Sequence, residues 1–266
     1  MDTLHLVLLA LVQGVTEFLP ISSSAHLVLL PRVFGFADQG LAVDVAVHVG
    51  SLLAVMLYFR RDIGSMVVAF FRALSPQASQ TPGSRLAWAV ILGTIPVGLA
   101  GLAFKSLVET ELRSSLVIAI STILVALLIW GLDLTGRRRR DEHSLSWRDA
   151  LVIGIFQAFA LIPGVSRSGI TMGAGLMLGL TREAASRFSF LLAIPTIALS
   201  GALVTLDLAR AEHPVAWGEL ALAALLSFVT AFLCIHYFLH FVERIGMAPF
   251  MLYRLLLGSV ILWLLF

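Results

Sequence analysis

The sequence predicts an all-α polytopic membrane protein built as two inverted-topology repeats, each a re-entrant helix hairpin followed by three transmembrane helices. Three observations lead there. Composition comes first: 59% of the 266 residues are hydrophobic and 13% are charged, about half the charged share of a soluble domain, and the mean hydropathy is +0.98. Segment length comes second. Ten apolar segments fall five to each half, and the first two of each half are too short to cross roughly 30 Å of hydrocarbon as helices. Third, polar residues recur at a separation of 144 positions: Gln13 with Gln157, Ser22 with Ser166, Ser24 with Ser168. Paired short segments at corresponding places, each broken by Pro, Gly or Ser, are the mark of an inverted repeat.

In chain order, apolar segments at about 4–18 and 24–35 flank a polar break and form the first hairpin. A third segment at about 41–59 ends at Arg60, Arg61 and Asp62, and a short interfacial helix is expected over 62–74. Segments at about 86–104 and 114–132 span the membrane. The polar stretch Asp133–Asp149, with Arg137 to Arg140, separates repeat one (about 1–140) from repeat two (about 145–266) within one membrane domain covering residues 1–266. Short segments at about 149–161 and 168–180 then flank a second break, and segments at about 184–206, 217–241 and 249–266 are read as spans. Ten complete crossings are the competing reading, and the short segments oppose it.

The arginines set the orientation. Four Lys/Arg lie in 60–85 and five in 133–149, against two in 105–113 and one in 207–217. The arginine-rich loops are therefore expected in the cytoplasm. The first hairpin then opens outward, the second inward, and both termini lie outside. The basic residues flank the membrane, so a net charge of +2 and a pI near 9.1 do not point to nucleic acid. Cys234 is the sole cysteine, which excludes an internal disulfide and any multi-cysteine metal site. The first segment lacks the basic start and cleavage pattern of a signal peptide and is expected to be retained.

The polar breaks hold the candidate chemistry. Residues 13–26 carry Gln13, Glu17, Ser22, Ser23, Ser24 and His26 around Pro20. Such groups are costly in hydrocarbon and mark a polar cavity. The second break, Pro163–Gly169, centres on Arg167, a permanent cation whose planar fork suits phosphate oxygens. Ser166, Ser168, Gly169 and Thr171 stand around the start of the following helix, where free N–H groups favour anions. The register sets Ser23 opposite Arg167. An anion cradle facing a Ser/His/Glu set suits hydrolysis of a phosphate ester or anhydride.

Plainer roles stand beside these. Ser22 and Ser24 are also good helix caps, and Glu17 with Arg167 also makes a structural ion pair. His26 follows Ser23 by three residues, a spacing that brings side chains together on a helix. Asp44 and His48 have i, i+4 spacing and suit either a divalent cation or the membrane interface. His236 and His240 read as interfacial, Arg254 beside Tyr253 as snorkelling or paired, and His5 has no assigned role.

Gln13-Gly-Val-Thr-Glu-Phe-Leu-Pro-Ile-Ser-Ser-Ser-Ala-His26 and Pro163-Gly-Val-Ser-Arg-Ser-Gly169 together resemble the two motifs of the bacitracin-resistance family of undecaprenyl-diphosphate phosphatases. Gly50-Ser51 and Phe188–Pro195 extend the resemblance over most of the chain. It implies removal of the terminal phosphate of undecaprenyl diphosphate outside the cytoplasmic face of the bacterial inner membrane, recycling the lipid carrier for peptidoglycan synthesis and conferring bacitracin resistance. Carried over residue by residue, it makes Glu17, Ser23, His26 and Arg167 the catalytic candidates. Gln13, Ser22, Ser24, Ser166, Ser168, Gly169 and Thr171 become substrate contacts. A divalent cation, Mg2+ or Ca2+, is implied, with Glu17 and Asp44 as candidate ligands. Gln13 stands where many relatives carry Glu, which removes one carboxylate from that position. The lipid substrate and membrane lipids are the expected partners, and a homodimer is compatible with them. Ser23 is expected to attack phosphorus with His26 handling the proton and Glu17 orienting His26 or holding the metal; attack by a metal-bound water is the variant. A polyprenyl-phosphate flippase or secondary transporter is the competing class, because inverted repeats with broken hairpins are also a transporter architecture. A structural membrane subunit is third.

Overall fold

The computed structural model describes residues 3–35, 40–75, 79–104, 106–107, 112, 114–209 and 216–265. The described residues are almost entirely helical. The first hairpin is α1 (Thr3–Thr16) and α2 (Ser23–Phe34), and α3 (Leu41–Tyr58) follows. At Phe59 the chain bends by 74° into α4 (Arg60–Ala73), the short helix expected after the third segment. One face of α4 carries Arg60, Arg61 and Arg72, and Met66 is buried on the other, as suits a helix lying at an interface.

Helices α5 (Pro82–Ala103) and α6 (Ser115–Thr135) come next. A capping box between Thr81 and Ser84, with Pro82 in the first turn, starts α5, and the Ser114 side chain caps α6. These devices satisfy N–H groups that a helix start leaves without partners. In the second half, α7 (Trp147–Ala158) tightens into a 3-10 turn at Phe159–Leu161, and α8 (Arg167–Met177) returns. The chain closes with α9 (Arg182–Ala209), α10 (Trp217–Ile245) and α11 (Ala248–Trp263).

Helices α5, α6, α10 and the Arg182–Ala202 part of α9 are long and apolar enough to cross a membrane, and α3 with α4 makes a fifth, bent candidate. The segment read as a span over 249–266 is shorter than expected. Its helix has 16 residues and ends at Trp263, about 24 Å at 1.5 Å per residue. Large apolar side chains such as Leu99, Leu102, Leu124, Leu134 and Leu256 face outward, a surface suited to lipid rather than water. The chain is thus a multi-pass membrane protein.

Inside, Phe18, Phe59, Phe188 and Phe190 are fully buried, with Phe18 edge-on to Phe190 at 5.2 Å between centroids. Helices approach closely where glycine allows it. A Cβ at Gly50 would lie 2.2 Å from the Ala224 carbonyl oxygen, and one at Gly154 would lie 2.6 Å from that of Gly93. Small residues are the usual means of close helix packing in membranes. At the arginine-rich end, Arg182 makes a bidentate pair with Asp133 at 2.7 and 3.0 Å. Arg187 binds Glu142 at 2.6 Å and Asp62 at 3.0 Å. Arg140 binds Asp149 at 2.7 Å.

The two hairpins match in detail. Ser22 has φ 73° and Ser166 φ 69°, and Gly35 has φ 67° and Gly179 φ 87°, each pair lying 144 positions apart. Serine in this left-handed region is strained. The strain reverses the chain immediately before α2 and α8.

Candidate active site

Both breaks fold as expected into compact tips that meet inside the bundle. The first is held by Glu17 N–H donating to the Gln13 carbonyl at 3.0 Å and Ile21 N–H to the Leu19 carbonyl at 2.8 Å. The second turns at Gly164, whose φ is 92° and where a Cβ would meet Ser121 Oγ at 2.2 Å. Only glycine fits there. Ser121 Oγ donates to the Pro163 carbonyl at 2.6 Å and Thr122 Oγ1 to the Gly164 carbonyl at 3.2 Å, so α6 fastens this tip.

The tips bind each other through equivalent serines. Gly164 N–H donates to Ser24 Oγ at 3.2 Å, and Ser168 Oγ donates to the Leu19 carbonyl at 2.8 Å. Within each tip the hydroxyl pairs are alike: Ser22 and Ser24 are 3.2 Å apart, as are Ser166 and Ser168. Ser166 Oγ also accepts from Gly169 N–H at 3.2 Å. Thr171 Oγ1 donates to the Arg167 carbonyl at 2.8 Å and pairs with Ser189 Oγ at 2.7 Å. These hydroxyls and Gly169 therefore shape the tips.

Glu17 is the hub. Ser23 Oγ donates to its Oε2 at 2.9 Å, Gln13 Nε2 donates to the same oxygen at 2.9 Å, and Arg167 Nη2 donates to Oε1 at 3.2 Å. The Arg167 Nη1 donates to the Ser189 carbonyl at 3.1 Å, and its guanidinium lies 5.9 Å from the centre of the Phe18 ring. Glu17 is 8% exposed and the Arg167 side chain 12%. A carboxylate and a guanidinium held this far from water interact strongly. The register sets Ser23 opposite Arg167, and the structure joins them through Glu17.

His26 departs from expectation. Its i, i+3 spacing predicts a contact with Ser23. Instead its Nδ1 donates to the Ser22 carbonyl at 2.7 Å, and Nε2 is hydrogen-bonded to the Tyr253 hydroxyl on α11. The backward tilt of helical side chains aims His26 at the residue one turn earlier, whose carbonyl captures it. The Ser23 hydroxyl is therefore hydrogen-bonded to Glu17 and not to His26, and the imidazole that reaches Glu17 is that of His48, whose Nε2 lies 3.9 Å from Oε2. His48 Nδ1 donates to the Asp44 carbonyl at 2.7 Å, so of the i, i+4 pair on α3 it is His48 that faces the hub. The sequence signal for His48 is that spacing.

Arg254 also departs from expectation. It neither snorkels nor forms an ion pair among the described residues. It is fully buried, and it donates to the Thr122, Gly164 and Val165 carbonyls at 2.9 to 3.3 Å.

Among the described residues no three His, Cys, Asp or Glu side chains gather as a metal site. Oxygen donors are nevertheless present. Gln13 Oε1 is buried without a hydrogen-bond partner on the side chain whose Nε2 meets Glu17. An amide oxygen beside a carboxylate suits a hard cation that takes its remaining ligands from substrate phosphate and water, the usual manner of Mg2+.

The family model described as bacitracin resistance protein BacA matches residues 6–260. Undecaprenyl-diphosphatase 2 of Stutzerimonas stutzeri is 56% identical over 98% of both chains. The undecaprenyl-diphosphatase of Nitrosococcus oceani is 56% identical over 99% of both. That of Alteromonas mediterranea is 54% identical over the whole of each.

Proposed function

We propose, from the premise that this chain belongs to the bacitracin resistance protein BacA family, that it hydrolyses undecaprenyl diphosphate to undecaprenyl phosphate and inorganic phosphate. That activity recycles the lipid carrier for peptidoglycan synthesis and confers bacitracin resistance. The observation that carries the reading is Ser23 Oγ donating to Glu17 while Arg167 holds the other carboxylate oxygen. A nucleophile, its proton acceptor and an anion-binding cation thus come from two different tips.

The chemistry follows from that trio. An incoming diphosphate competes with Glu17 for Arg167. As the guanidinium turns to the phosphate oxygens, Glu17 loses its neutralising partner and becomes a better base. Ser23 Oγ then forms a bond to the terminal phosphorus and gives its proton to Glu17. The bond from that phosphorus to the bridging oxygen breaks, and undecaprenyl phosphate leaves. Water then attacks the phosphoserine phosphorus, the bond to Ser23 Oγ breaks, Oγ takes its proton back from Glu17, and dihydrogen phosphate leaves with the oxygen and both protons of the water. The buried Arg167 stabilises the charge on the transferring group where water is scarce. Ser22, Ser24, Ser166, Ser168, Gly169 and Thr171 serve substrate binding by keeping the tips in register, and His26 positions α2 through Tyr253.

A divalent cation, Mg2+ or Ca2+, belongs to this proposal. Glu17 and Gln13 Oε1 would hold it, with Asp44 a further candidate from α3, and it would neutralise the diphosphate and its leaving group. The proposed setting is the bacterial inner membrane. Tips related as inverted repeats would meet near its midplane, and the site would open to the periplasmic side. Matching backbone strain in the two hairpins supports that topology. The homodimer is part of the same proposal and is tested by the mass of the solubilised particle.

The deciding experiment measures phosphate release from detergent-solubilised prenyl diphosphate by wild type and Ser23→Ala, with and without chelator. Release by wild type and its loss in the variant support the reading; no release by wild type would overturn it and leave the transporter class, which gives none. A trapped phosphoserine at position 23 separates serine attack from direct attack by water.

A further inference from the structure

The two arginines at the tips are in different electrostatic states. Arg167 is ion-paired with Glu17 at 3.2 Å, so in the resting site those charges cancel. Arg254 is entirely buried, and its partners are backbone carbonyls: Thr122 at 3.1 and 3.3 Å, Gly164 at 2.9 Å and Val165 at 3.1 Å. Carbonyl dipoles solvate a cation without neutralising it. Among the described residues no carboxylate lies within ion-pair distance of Arg254, and its Nη1 is buried with no hydrogen-bond partner. A buried guanidinium without a counter-charge is costly, and a spare buried N–H donor adds to that cost.

Position says what offsets the cost. Gly164 and Val165 precede Arg167 by three and two residues, and Gly164 N–H is the group bound by Ser24 of the other tip. The preceding residue on α11, Tyr253, holds His26 of the first hairpin. Arg254 therefore sits where the two tips meet, and the net charge of Glu17, Arg167 and Arg254 is positive. A clamp on the second tip needs only the Nε and Nη2 bonds. It leaves the unpaired charge and the idle Nη1 without a purpose.

We propose that Arg254 is a substrate-binding residue: its charge is the resting surplus that draws the diphosphate to the tips, and its Nη1 takes a non-bridging phosphate oxygen. The inference rests on the prenyl-diphosphate phosphatase reading and divides the work within it. Arg167 exchanges Glu17 for phosphate during the reaction, whereas Arg254 waits with its charge unspent.

The test compares Arg254→Lys with Arg254→Gln in the full-length solubilised protein. The readouts are KM for prenyl diphosphate and the inhibition constant of inorganic diphosphate. Arg254→Gln is expected to raise both about tenfold or more, the scale for loss of a hydrogen bond to a charged group, and Arg254→Lys to recover most of that loss by keeping the charge. Equal losses in both variants, tracking lowered thermal stability, would show a clamp and overturn the proposal, as would unchanged constants in Arg254→Gln. Should Arg254→Gln fail to fold, wild-type crystals soaked in tungstate decide. An anomalous peak within hydrogen-bond reach of Arg254 Nη1 is expected; a peak at Arg167 with none at Arg254 refutes the idea. If wild type releases no phosphate, the phosphatase reading fails. Thermal stabilisation of wild type and both variants by inorganic diphosphate still tests Arg254.

Discussion

Ser24 of the first tip accepts the Gly164 N–H of the second at 3.2 Å, and Ser168 of the second donates to the Leu19 carbonyl of the first at 2.8 Å. These serines occupy equivalent places in the two hairpins, so each tip closes the other's backbone. The strained Ser22 and Ser166, at φ 73° and 69°, aim the following helices so that this exchange can occur.

Ser24→Ala should lower thermal stability by about 1–3 kcal/mol, since it leaves Gly164 N–H without its partner; Ser168→Ala should cost about 1 kcal/mol, the net worth of one hydrogen bond, since the Leu19 carbonyl keeps the Ile21 N–H. The pair should lose less than the sum, because one interlock depends on the other. Additive losses in the double variant, followed by thermal unfolding in detergent, would mean that the two contacts are independent.

Asp133→Ala should be among the most destabilising single changes at the arginine-rich end. Asp133 is 3% exposed and receives both Arg182 bonds, and Met247 N–H at 3.4 Å. Removing one partner of a buried pair costs about 3–5 kcal/mol. Asp133→Ala with Arg182→Leu should recover part of it, and a double variant no more stable than the single would contradict this account.

The hairpins, the break before α4 and the joining of Ser23 to Arg167 were legible from the sequence, because each is announced by polar residues where an apolar helix cannot continue. The hub of Glu17 was legible as a site but not in its connections. Spacing along a helix names neighbours, yet the direction of His26 depends on a carbonyl one turn back and on Tyr253, 227 residues away. Arg254 shows the same limit. A charge in an apolar run fits both a snorkelling side chain and a buried one, and the carbonyls that decide between them belong to other elements.

The Arg140–Asp149 link predicts an acid-sensitive start to the second hairpin. Burial pushes the Asp149 carboxyl up, but hydrogen bonds from Arg140 at 2.7 Å and from Ser146 N–H and Oγ at 2.9 Å outweigh it and hold the group below the usual carboxylate value. With the folded pKa depressed, the stabilisation is complete above the unfolded value of about 4 and is lost as pH falls through the folded one. The stability gap between wild type and Asp149→Asn should be about 1 kcal/mol near neutrality, the scale of a helix cap, and should close in acid. A gap that is constant with pH would assign the effect to shape rather than charge.

Mutant kinetics should order the residues around Ser23 as the geometry does. Ser23→Ala, Glu17→Gln and Arg167→Ala should each lose roughly 100-fold or more in kcat/KM, the scale for one transition-state group. His26→Gln should lose less, because His26 binds the Ser22 carbonyl and Tyr253 rather than Ser23. Tyr253→Phe should resemble His26→Gln, since each opens the same contact. His48→Gln should fall between the groups: it removes the imidazole 3.9 Å from Glu17 and leaves the Ser23 hydrogen bond in place. A loss in His26→Gln as large as in Glu17→Gln would return the proton of Ser23 to histidine and overturn the carboxylate's part as its acceptor.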